Sequence, residues 1–306
     1  MVQKDSIKKK IIIICGATAT GKTALAVEVA KRLNSEVVSA DSMYIYKGLD
    51  VGTAKPTLDE MQGVKHHMID VSTPFETFTV SDYKNKAEPI ICNLHAKGKI
   101  PIICGGTGFY INSLLYDLSY GKGEANLLVR DKYKKLAEQE GNLAVYNVLR
   151  EKDPKSAEKL HFNDLKRVIR ALEICESGVK KSDILDDFTP KYDYLAYAID
   201  YPRETLYERI NKRVDIMVEN GLIDEVNRLL DNGVTQDNQC MQGIGYKEIL
   251  EFVNGEITID EAIEKIKLNT RHYAKRQITF FKRLPSLKSL KFDSVDNLAN
   301  RIIEDL

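Results

Sequence analysis

The sequence predicts an α/β fold: a P-loop core with a parallel sheet flanked by helices, plus an all-helical insertion domain. First, an apolar run over 11–15 leads into Gly16-x-x-x-x-Gly21-Lys22-Thr23, and helical periodicity follows over 22–33. That order of strand, glycine-rich loop and helix is the context of a phosphate-binding P-loop. Second, strand-like and helical segments alternate up to about residue 115. Third, the pattern is helical only from about residue 118.

The first half of the chain predicts the sheet. Near-continuous apolar segments predict strands over 11–15, 36–40, 67–71 and 100–104, and helical periodicity lies over 22–33 and 80–96 and, after the glycines at 105–108, up to about 115. Strands without polar alternation are typical of a parallel sheet covered on both faces. Ligands of such sheets bind beyond the carboxyl ends of the strands, so we expect the P-loop, Asp41 and Thr107 to converge there.

The second half predicts an insertion and a return to the core. Short amphipathic helices are predicted over 127–140, 143–151, 154–160 and 163–176, with hinges at 121–123 and 182–194. We assign 118–192 to the helical insertion domain and 1–117 with 193–306 to the P-loop core. A strand over 194–199 precedes helices predicted over 203–220, 222–231, 246–252 and 258–284.

Composition limits the classes of partner. The 306 residues carry 45 basic and 45 acidic side chains, so contact with nucleic acid must come from local patches. Five cysteines form no C-x-x-C pair, which indicates a reduced chain without structural zinc. No apolar segment has membrane-spanning length. We therefore expect a cytoplasmic protein without a membrane partner, acting as a monomer.

The P-loop predicts a diphosphate-binding site. Its backbone N–H groups wrap the anion, Lys22 adds a point charge, and the Thr23 hydroxyl is the predicted ligand of Mg²⁺, the expected cofactor. The predicted diphosphate-binding residues are Gly16, Ala17, Thr18, Ala19, Thr20, Gly21, Lys22 and Thr23. The loop indicates a polyphosphate without identifying it, and ATP stays open as a competitor.

Longer motifs resemble those of the tRNA dimethylallyltransferases, also called tRNA isopentenyltransferases, of the bacterial type. Two of them are Asp41-Ser42-Met43-Tyr44 within 39–56 and Gly105-Gly106-Thr107-Gly108 within 105–110. The similarity runs in the family's order over about 10–284, and its further blocks lie at 66–70, 153–154, 161–164, 167–173, 213–215, 221–226, 243–248 and 270–280.

The resemblance implies transfer of a dimethylallyl group from dimethylallyl diphosphate to N6 of the adenosine 3′-adjacent to the anticodon. The P-loop would then hold the leaving diphosphate. Asp41 would accept the N6 proton, whereas by itself an aspartate there fits a helix cap or indirect metal binding equally well. Thr107 would lie at the mouth of the reaction channel, and Arg209, with Arg213 as second choice, would contact the diphosphate. The predicted catalytic residues are thus Asp41, Thr107 and Arg209.

The tRNA anticodon stem-loop is the second implied partner. From Lys265 to Arg283 there are seven basic residues and no acidic one, with aromatic residues between them, a pattern that favours nucleic-acid contact. The full set assigned to tRNA is Asp41, Ser42, Met43, Tyr44, Thr107, Arg130, Lys166, Arg167, Val168, Ile169, Arg170, Gln242, Gly243, Tyr246, Lys247, Arg271, Lys275 and Arg276.

Two other enzymes fit parts of the sequence. An adenylate isopentenyltransferase would share the P-loop and Asp41 but would need neither the insertion nor the basic 265–283 helix. A P-loop nucleotide kinase would bind ATP in the loop and use Arg167 and Arg170 as lid arginines. A non-enzymatic P-loop switch or RNA-binding module would leave Asp41 without a chemical role. His66-His67 suggests a metal, but neighbouring strand residues point to opposite faces, so hydrogen bonding is the expected role.

Overall fold

The computed structural model describes residues 8–118 and 126–306. These residues form two compact units, one of 8–115 with 190–306 and one of 116–118 with 126–189. The predicted hinge at 121–123 lies outside the described residues. No described helix is long and apolar enough to cross a membrane.

The first unit is built on a parallel sheet. Its order is β3-β2-β4-β1-β5-β6, and every neighbouring pair is parallel. Strand β1, with four consecutive fully buried isoleucines, lies inside the sheet between β4 and β5. The predicted parallel sheet flanked by helices is confirmed. The strands are β1 (Lys10–Cys15), β2 (Val37–Ser39), β3 (His66–His67), β4 (Ile102–Gly105), β5 (Asp193–Asp200) and β6 (Leu287–Lys291).

Thirteen α-helices occur within the described residues. In chain order they are α1 (Lys22–Arg32), α2 (Leu58–Met61), α3 (Val80–Ala96), α4 (Gly108–Leu115), α5 (Leu127–Glu140), α6 (Asn142–Lys152), α7 (Pro154–Ala157), α8 (Leu165–Glu176), α9 (Arg203–Glu219), α10 (Leu222–Asp231), α11 (Tyr246–Val253), α12 (Ile259–Phe281) and α13 (Val295–Glu304).

The structure corrects the predicted elements at two places. The strand predicted over 67–71 is wrong beyond His67, because Met68 and Asp70 have φ of 62° and 56°, which a strand does not accommodate. The sequence analysis also missed β6 and α13. The buried residues of α13 recur at helical spacing, namely Leu298, Ala299 and Ile302, and join the core of α1 and the sheet.

The second unit contains α5–α8 and has a hydrophobic core of its own. Tyr133, Val145, Leu149, Val168 and Leu172 are among its fully or almost fully buried members. These side chains come from α5, α6 and α8, so the unit buries apolar surface without the sheet.

A buried carboxylate organises the loops of the second unit. Asp153 has no exposed surface and accepts the backbone N–H groups of Ser156 and Ser182 at 3.2 and 3.0 Å. Burial alone would raise the pKa of Asp153, but these hydrogen bonds favour the ionised form and bring it to about 2. Asp153 therefore caps α7 as a charged group.

Candidate active site

The P-loop joins the inner strand β1 to α1. Helix α1 begins at Lys22, and its N-cap Gly21 has φ 86°, a left-handed conformation that favours glycine. The Thr20 hydroxyl donates to the carbonyl of Ala17 at 2.9 Å, and the Lys22 ammonium donates to the same carbonyl. Loop, ammonium and helix N-terminus thus gather at one strand end, the arrangement that binds phosphate.

The Lys22 ammonium lies in a partly desolvated and strongly charged setting. Burial lowers the pKa of Lys22, and the positive charge of Arg213 lowers it further, whereas the carboxylate of Asp41 acts in the opposite direction. Arg213 and Asp41 therefore both lie within electrostatic reach of Lys22. A bound anion would offset the cost of keeping the two cations together.

Asp41 and Thr107 meet through the loop that follows β2. The Thr107 hydroxyl oxygen accepts the backbone N–H of Ser42 at 3.0 Å and donates to the Ser42 hydroxyl at 3.2 Å. Oδ1 of Asp41 accepts the N–H of Met43 at 2.9 Å, a local Asx turn. Among the described residues Oδ2 of Asp41 accepts no hydrogen bond. One carboxylate oxygen thus fixes the loop, and the other is available to a substrate.

Close backbone contact between two strand ends brings these loops together. Strand β4 lies between β1 and β2, so the loops after all three strands emerge side by side. A Cβ on Gly105 would be 2.2 Å from the carbonyl oxygen of Ala40, a distance that excludes any side chain. The amide of Thr107 donates to that same carbonyl at 3.0 Å. The glycines of the 105–108 segment are thus required by packing.

Gln277 is a site residue that the sequence analysis missed. Its side-chain oxygen accepts the N–H of Thr18 at 2.9 Å, and its amide donates to the carbonyl of Gly106 at 2.9 Å. The side chain is buried, and a Cβ on Gly106 would be 2.1 Å from its Nε2. Helix α12 therefore connects the P-loop to the loop after β4. The 270–280 motif contains Gln277, but nothing in the sequence indicated that this neutral amide contacts the P-loop.

The two predicted arginines donate hydrogen bonds to different loops. Arg209 is exposed, donates from Nε to the carbonyl of Ala19 at 2.8 Å and lies over the ring of Tyr201. Arg213 donates to the carbonyl of Thr53 at 3.1 Å. Arg209 is therefore anchored on the P-loop itself, while Arg213 acts on Lys22 through its charge.

The oxygen groups at this strand edge fit Mg²⁺. The Thr23 hydroxyl forms no hydrogen bond to any described residue, and the Asp41 carboxylate lies within electrostatic reach of the adjacent Lys22. Hydroxyl and carboxylate oxygens together with substrate phosphates are the ligands that Mg²⁺ prefers. Thr23 would hold the ion with the phosphates.

A second missed residue organises the loop after Asp41. Glu225 is buried, and its carboxylate accepts the backbone N–H groups of Asp50, Val51 and Gly52 at 2.8–3.0 Å. The same carboxylate accepts the hydroxyl of Tyr246 at 2.7 Å. This carboxylate ties α10 and α11 to the 50–52 segment. Its partners lie far apart in sequence, so spacing could not identify it.

Comparison with known proteins assigns the chain to a family. A family model described as IPP transferase matches residues 44–284. The tRNA dimethylallyltransferase of Caldanaerobacter subterraneus subsp. tengcongensis is 50% identical over 292 residues, covering 91% of this chain and 90% of that protein. The chain belongs to the IPP transferase family. The matched segment begins after Asp41, so the roles of this residue and of the P-loop depend on the geometry described above.

Further relatives and solved structures resemble this IPP transferase over nearly its whole length. The tRNA dimethylallyltransferase of Clostridioides difficile is 46% identical, covering 97% of each chain. The full-length tRNA isopentenylpyrophosphate transferase of Bacillus halodurans has a TM-score of 0.73 at 40% identity, covering 97% of this chain and 96% of that one. A eukaryotic dimethylallyltransferase acting on tRNA has a TM-score of 0.79 at 30% identity, covering 97% of this chain and 80% of that one.

The structure brings part of the predicted tRNA-binding set to the site of this IPP transferase. Ser42, Met43 and Tyr44 follow Asp41 directly, and a Cβ on Gly243 would be 2.5 Å from the Met43 methyl group. The 242–243 segment therefore lies against the loop after Asp41, with Gln242 exposed. Tyr246 has no exposed surface, and its hydroxyl donates a hydrogen bond to the carboxylate of Glu225. The structure thus removes Tyr246 from the candidate interface.

The basic side chains after residue 246 differ in their exposure. Lys275 and Arg276 are exposed on α12, whereas Lys247 is half-buried beside Glu248. Arg271 donates to the side-chain oxygen of Asn211 at 2.8 Å and lies over an aromatic ring. Helix α12 thus exposes the side chains of Lys275 and Arg276, and the Arg276 guanidinium lies over the ring of Tyr273.

The predicted residues of the second unit separate into two faces of α8. Lys166 and Arg167 are exposed, while Val168 and Ile169 are buried in the unit's core and leave the candidate interface. Successive helix residues turn by roughly 100°, so a run of five cannot share one face. Arg170 and Arg130, at 2.7 and 3.1 Å, both pair with the buried carboxylate of Glu173.

The adjacent histidines form separate hydrogen bonds. His66 and His67 pair with consecutive residues of β2, so their side chains lie on opposite faces of the sheet. Nδ1 of His66 lies 2.9 Å from the carbonyl of Val64, and Nε2 of His67 lies 2.7 Å from the carboxylate of Glu36. The predicted hydrogen-bonding roles are confirmed.

Proposed function

We propose that this IPP transferase is a cytoplasmic tRNA dimethylallyltransferase. It transfers the dimethylallyl group of dimethylallyl diphosphate to N6 of the adenosine 3′-adjacent to the anticodon and releases diphosphate. The observation that carries the proposal is the meeting of a P-loop with a carboxylate, Asp41, that lies within electrostatic reach of Lys22. An anion-binding loop next to a general base suits a reaction that has an anionic leaving group and an N–H nucleophile.

The leaving group is stabilised by the chain's cations and N–H groups. As the allylic C–O bond breaks, its electron pair remains on the diphosphate, and Lys22, Arg209 and the P-loop amides face that growing charge. When bound at Thr23, Mg²⁺ supplies further neutralisation of the phosphate oxygens. Because Lys22 carries a lowered pKa before the anion arrives, binding of diphosphate favours its charged form.

Asp41 receives the proton that the nucleophile loses. The exocyclic amine of adenosine is a poor nucleophile because its lone pair is delocalised into the ring. As the N6–C bond forms, one N6 proton passes to the carboxylate oxygen that the Asx turn leaves available. Thr107 and Ser42 hold the loop of Asp41 against the strand end and so set the direction of that oxygen.

The nucleic acid must deliver an unstacked base to this position. Bases become accessible to such chemistry by flipping out of the stack, and single-stranded loops lower the cost of that step. The exposed cations Lys275 and Arg276 of α12, and Lys166 and Arg167 of α8, provide phosphate contacts that give affinity and register. The similarity to relatives named tRNA dimethylallyltransferase supports tRNA as the acceptor.

The deciding experiment incubates the purified chain with isotopically labelled dimethylallyl diphosphate, Mg²⁺ and unmodified tRNA. Mass spectrometry of the tRNA nucleosides is expected to show a labelled N6-dimethylallyl adenosine at the position following the anticodon. Parallel reactions replace the tRNA by AMP, or replace the prenyl donor by ATP. A product on free AMP alone would support an adenylate isopentenyltransferase, and phosphoryl transfer without N6 prenylation would support a nucleotide kinase. Either result overturns the proposal.

A further inference from the structure

A small cavity lies beneath the start of α1, on the face of the sheet that α1 covers. Its lining includes Thr23, Ser39, Tyr44, His66 and Cys104. The space within which the centre of a water molecule can lie is about 10 Å³. By that measure roughly 10–15 Å³ holds one water molecule, provided that two to four polar groups surround it. The size of the cavity therefore matches a single water.

Two unpaired polar atoms of the described residues border this cavity. Oγ of Ser39 and Nε2 of His66 are buried and have no hydrogen-bond partner. A buried polar atom without a hydrogen-bond partner destabilises the fold, so two around one cavity require an explanation. The strand register places both on one face, because His66 pairs with Val37, two residues before Ser39.

The tautomer of His66 makes its buried nitrogen an acceptor. Nδ1 lies 2.9 Å from the carbonyl oxygen of Val64, which only accepts, so Nδ1 carries the proton. Burial lowers the pKa of His66, which keeps the ring neutral. A lone pair on Nε2 therefore points into the same cavity that Thr23 borders.

The hydroxyl of Thr23 needs an acceptor for its proton. A hydroxyl that offers its lone pair to a cation must direct its single O–H bond elsewhere, and no described residue accepts it directly. A water can accept from Thr23, donate to Nε2 of His66 and share its remaining hydrogen bond with Ser39. These three groups complete the usual number of partners of a buried water.

We propose that this cavity holds one water bound by His66, Ser39 and Thr23, and that His66 is a positioning residue that directs the Thr23 lone pair toward the Mg²⁺ that accompanies the diphosphate. The proposal rests on the proposed function only in that Thr23 faces a diphosphate with its Mg²⁺. His66 does not touch the reacting atoms. It acts through the water on the hydroxyl, as groups behind a metal ligand do elsewhere.

The test measures the affinity for inorganic diphosphate by calorimetry, with and without Mg²⁺. We expect His66→Leu to reduce the Mg²⁺-dependent gain in affinity by about 10-fold or more, and His66→Gln, which retains an acceptor, to restore most of it. In a Thr23→Val background, His66→Leu is expected to have no further effect. His67→Leu, on the opposite face, is the matched control and should leave the gain unchanged.

Several results would overturn the proposal. One is a Mg²⁺-dependent gain in diphosphate affinity that is unchanged in His66→Leu, or that is absent from the unaltered chain. Another is a loss of diphosphate affinity in His66→Leu that is equal with and without Mg²⁺. A third is that the effects of His66→Leu and Thr23→Val on this gain are additive. A crystal structure without a water near Nε2 of His66 would do the same, even where His66→Leu fails to fold. Loss of tRNA prenylation in the unaltered chain, with the gain intact, would instead count against the proposed function alone.

Discussion

Asp41 combines a structural and a chemical task through its two carboxylate oxygens. Oδ1 accepts the N–H of Met43 and shapes the loop after β2. The other oxygen is the proposed base. The two tasks separate in Asp41→Asn, because an amide oxygen still accepts that N–H but takes up no proton from N6.

We expect Asp41→Asn to lower kcat by about 10²–10⁴-fold, the usual contribution of a general base, with little change in the affinity for dimethylallyl diphosphate. Steady-state kinetics with unmodified tRNA and calorimetry with the prenyl donor measure the two quantities. Asp50→Asn, on an exposed carboxylate of the same loop, is the control. Full turnover by Asp41→Asn would refute the assignment of the base.

At this scale, residue type and spacing in the sequence were enough to predict Lys22 and Asp41 as site residues. Lys22 and Asp41 follow a recognisable loop and a recognisable strand end. Gln277 and Glu225 could not be found, since each acts on backbone N–H groups that only the folded chain brings near it. Tyr246 was assigned to the tRNA interface because it lies in a loop motif, and the sequence does not show that the folded chain buries it against Glu225.

Among the elements, α12 has a double role. Its exposed face carries Lys275 and Arg276, and its buried face carries Gln277, which bridges the P-loop and the loop after β4. The helix that exposes these cations thus also completes the proposed diphosphate site.

We expect Gln277→Leu to destabilise the fold by about 1–3 kcal/mol, because the N–H of Thr18 is then left without its acceptor. The KM for dimethylallyl diphosphate should rise, and amide hydrogen exchange at Thr18 should accelerate. Urea unfolding and exchange measurements check both effects. Gln139→Leu, on an exposed position of α5, should change stability by less than about 0.5 kcal/mol. Unaltered exchange at Thr18 would contradict the bridging role.

Edge strand β3 is held to its neighbour by a charged cluster. Glu36 lies 2.8 Å from the Lys99 ammonium and 2.7 Å from His67. The hydrogen bond from Lys99 lowers the pKa of Glu36 to about 2, with burial opposing and His67 reinforcing the shift. A carboxyl group whose pKa is lower in the folded chain than in the unfolded chain stabilises the fold when the pH is above its ordinary pKa. This stabilisation is lost as the pH falls through the pKa of the folded chain.

The stabilisation by Glu36 is therefore expected to be complete above about pH 4.5 and to disappear toward pH 2. Glu36→Gln should be less stable than the unaltered chain near neutral pH, and the difference should shrink as the medium is acidified across that range. Urea unfolding at a series of pH values measures it. A difference that stays constant with pH would show that the charge of Glu36 contributes nothing.

At the scale of the whole molecule, the chain has separate hydrophobic cores in its two compact units. The alternation of strands and helices predicted the sheet of the first unit, because apolar periodicity reports burial directly. The strand order could not be predicted from the sequence. Strand β5 pairs with β1 although a long helical segment separates them in the chain, and only packing selects that neighbour. Strand β6 is short and mostly exposed, so its apolar signal is weak.

Leu149 is fully buried in the second unit's core, and we expect Leu149→Ala to cost that unit about 2–5 kcal/mol. Differential scanning calorimetry should show a transition of the second unit that shifts to lower temperature. Affinity for dimethylallyl diphosphate should persist, while affinity for tRNA falls. Leu25→Ala, in the core of the first unit, is the reciprocal variant. Equal loss of both affinities in Leu149→Ala would exclude this division of roles.

The bridge made by Gln277 also has a consequence for the chain during its synthesis. Thr18 and Gln277 are 259 positions apart, so the phosphate-binding loop leaves the ribosome long before its partner is translated. A nascent chain with β1 and α1 already exposed has Thr18 without its acceptor until α12 emerges. The loop is therefore expected to bind a diphosphate more weakly before α12 has been made than in the folded chain.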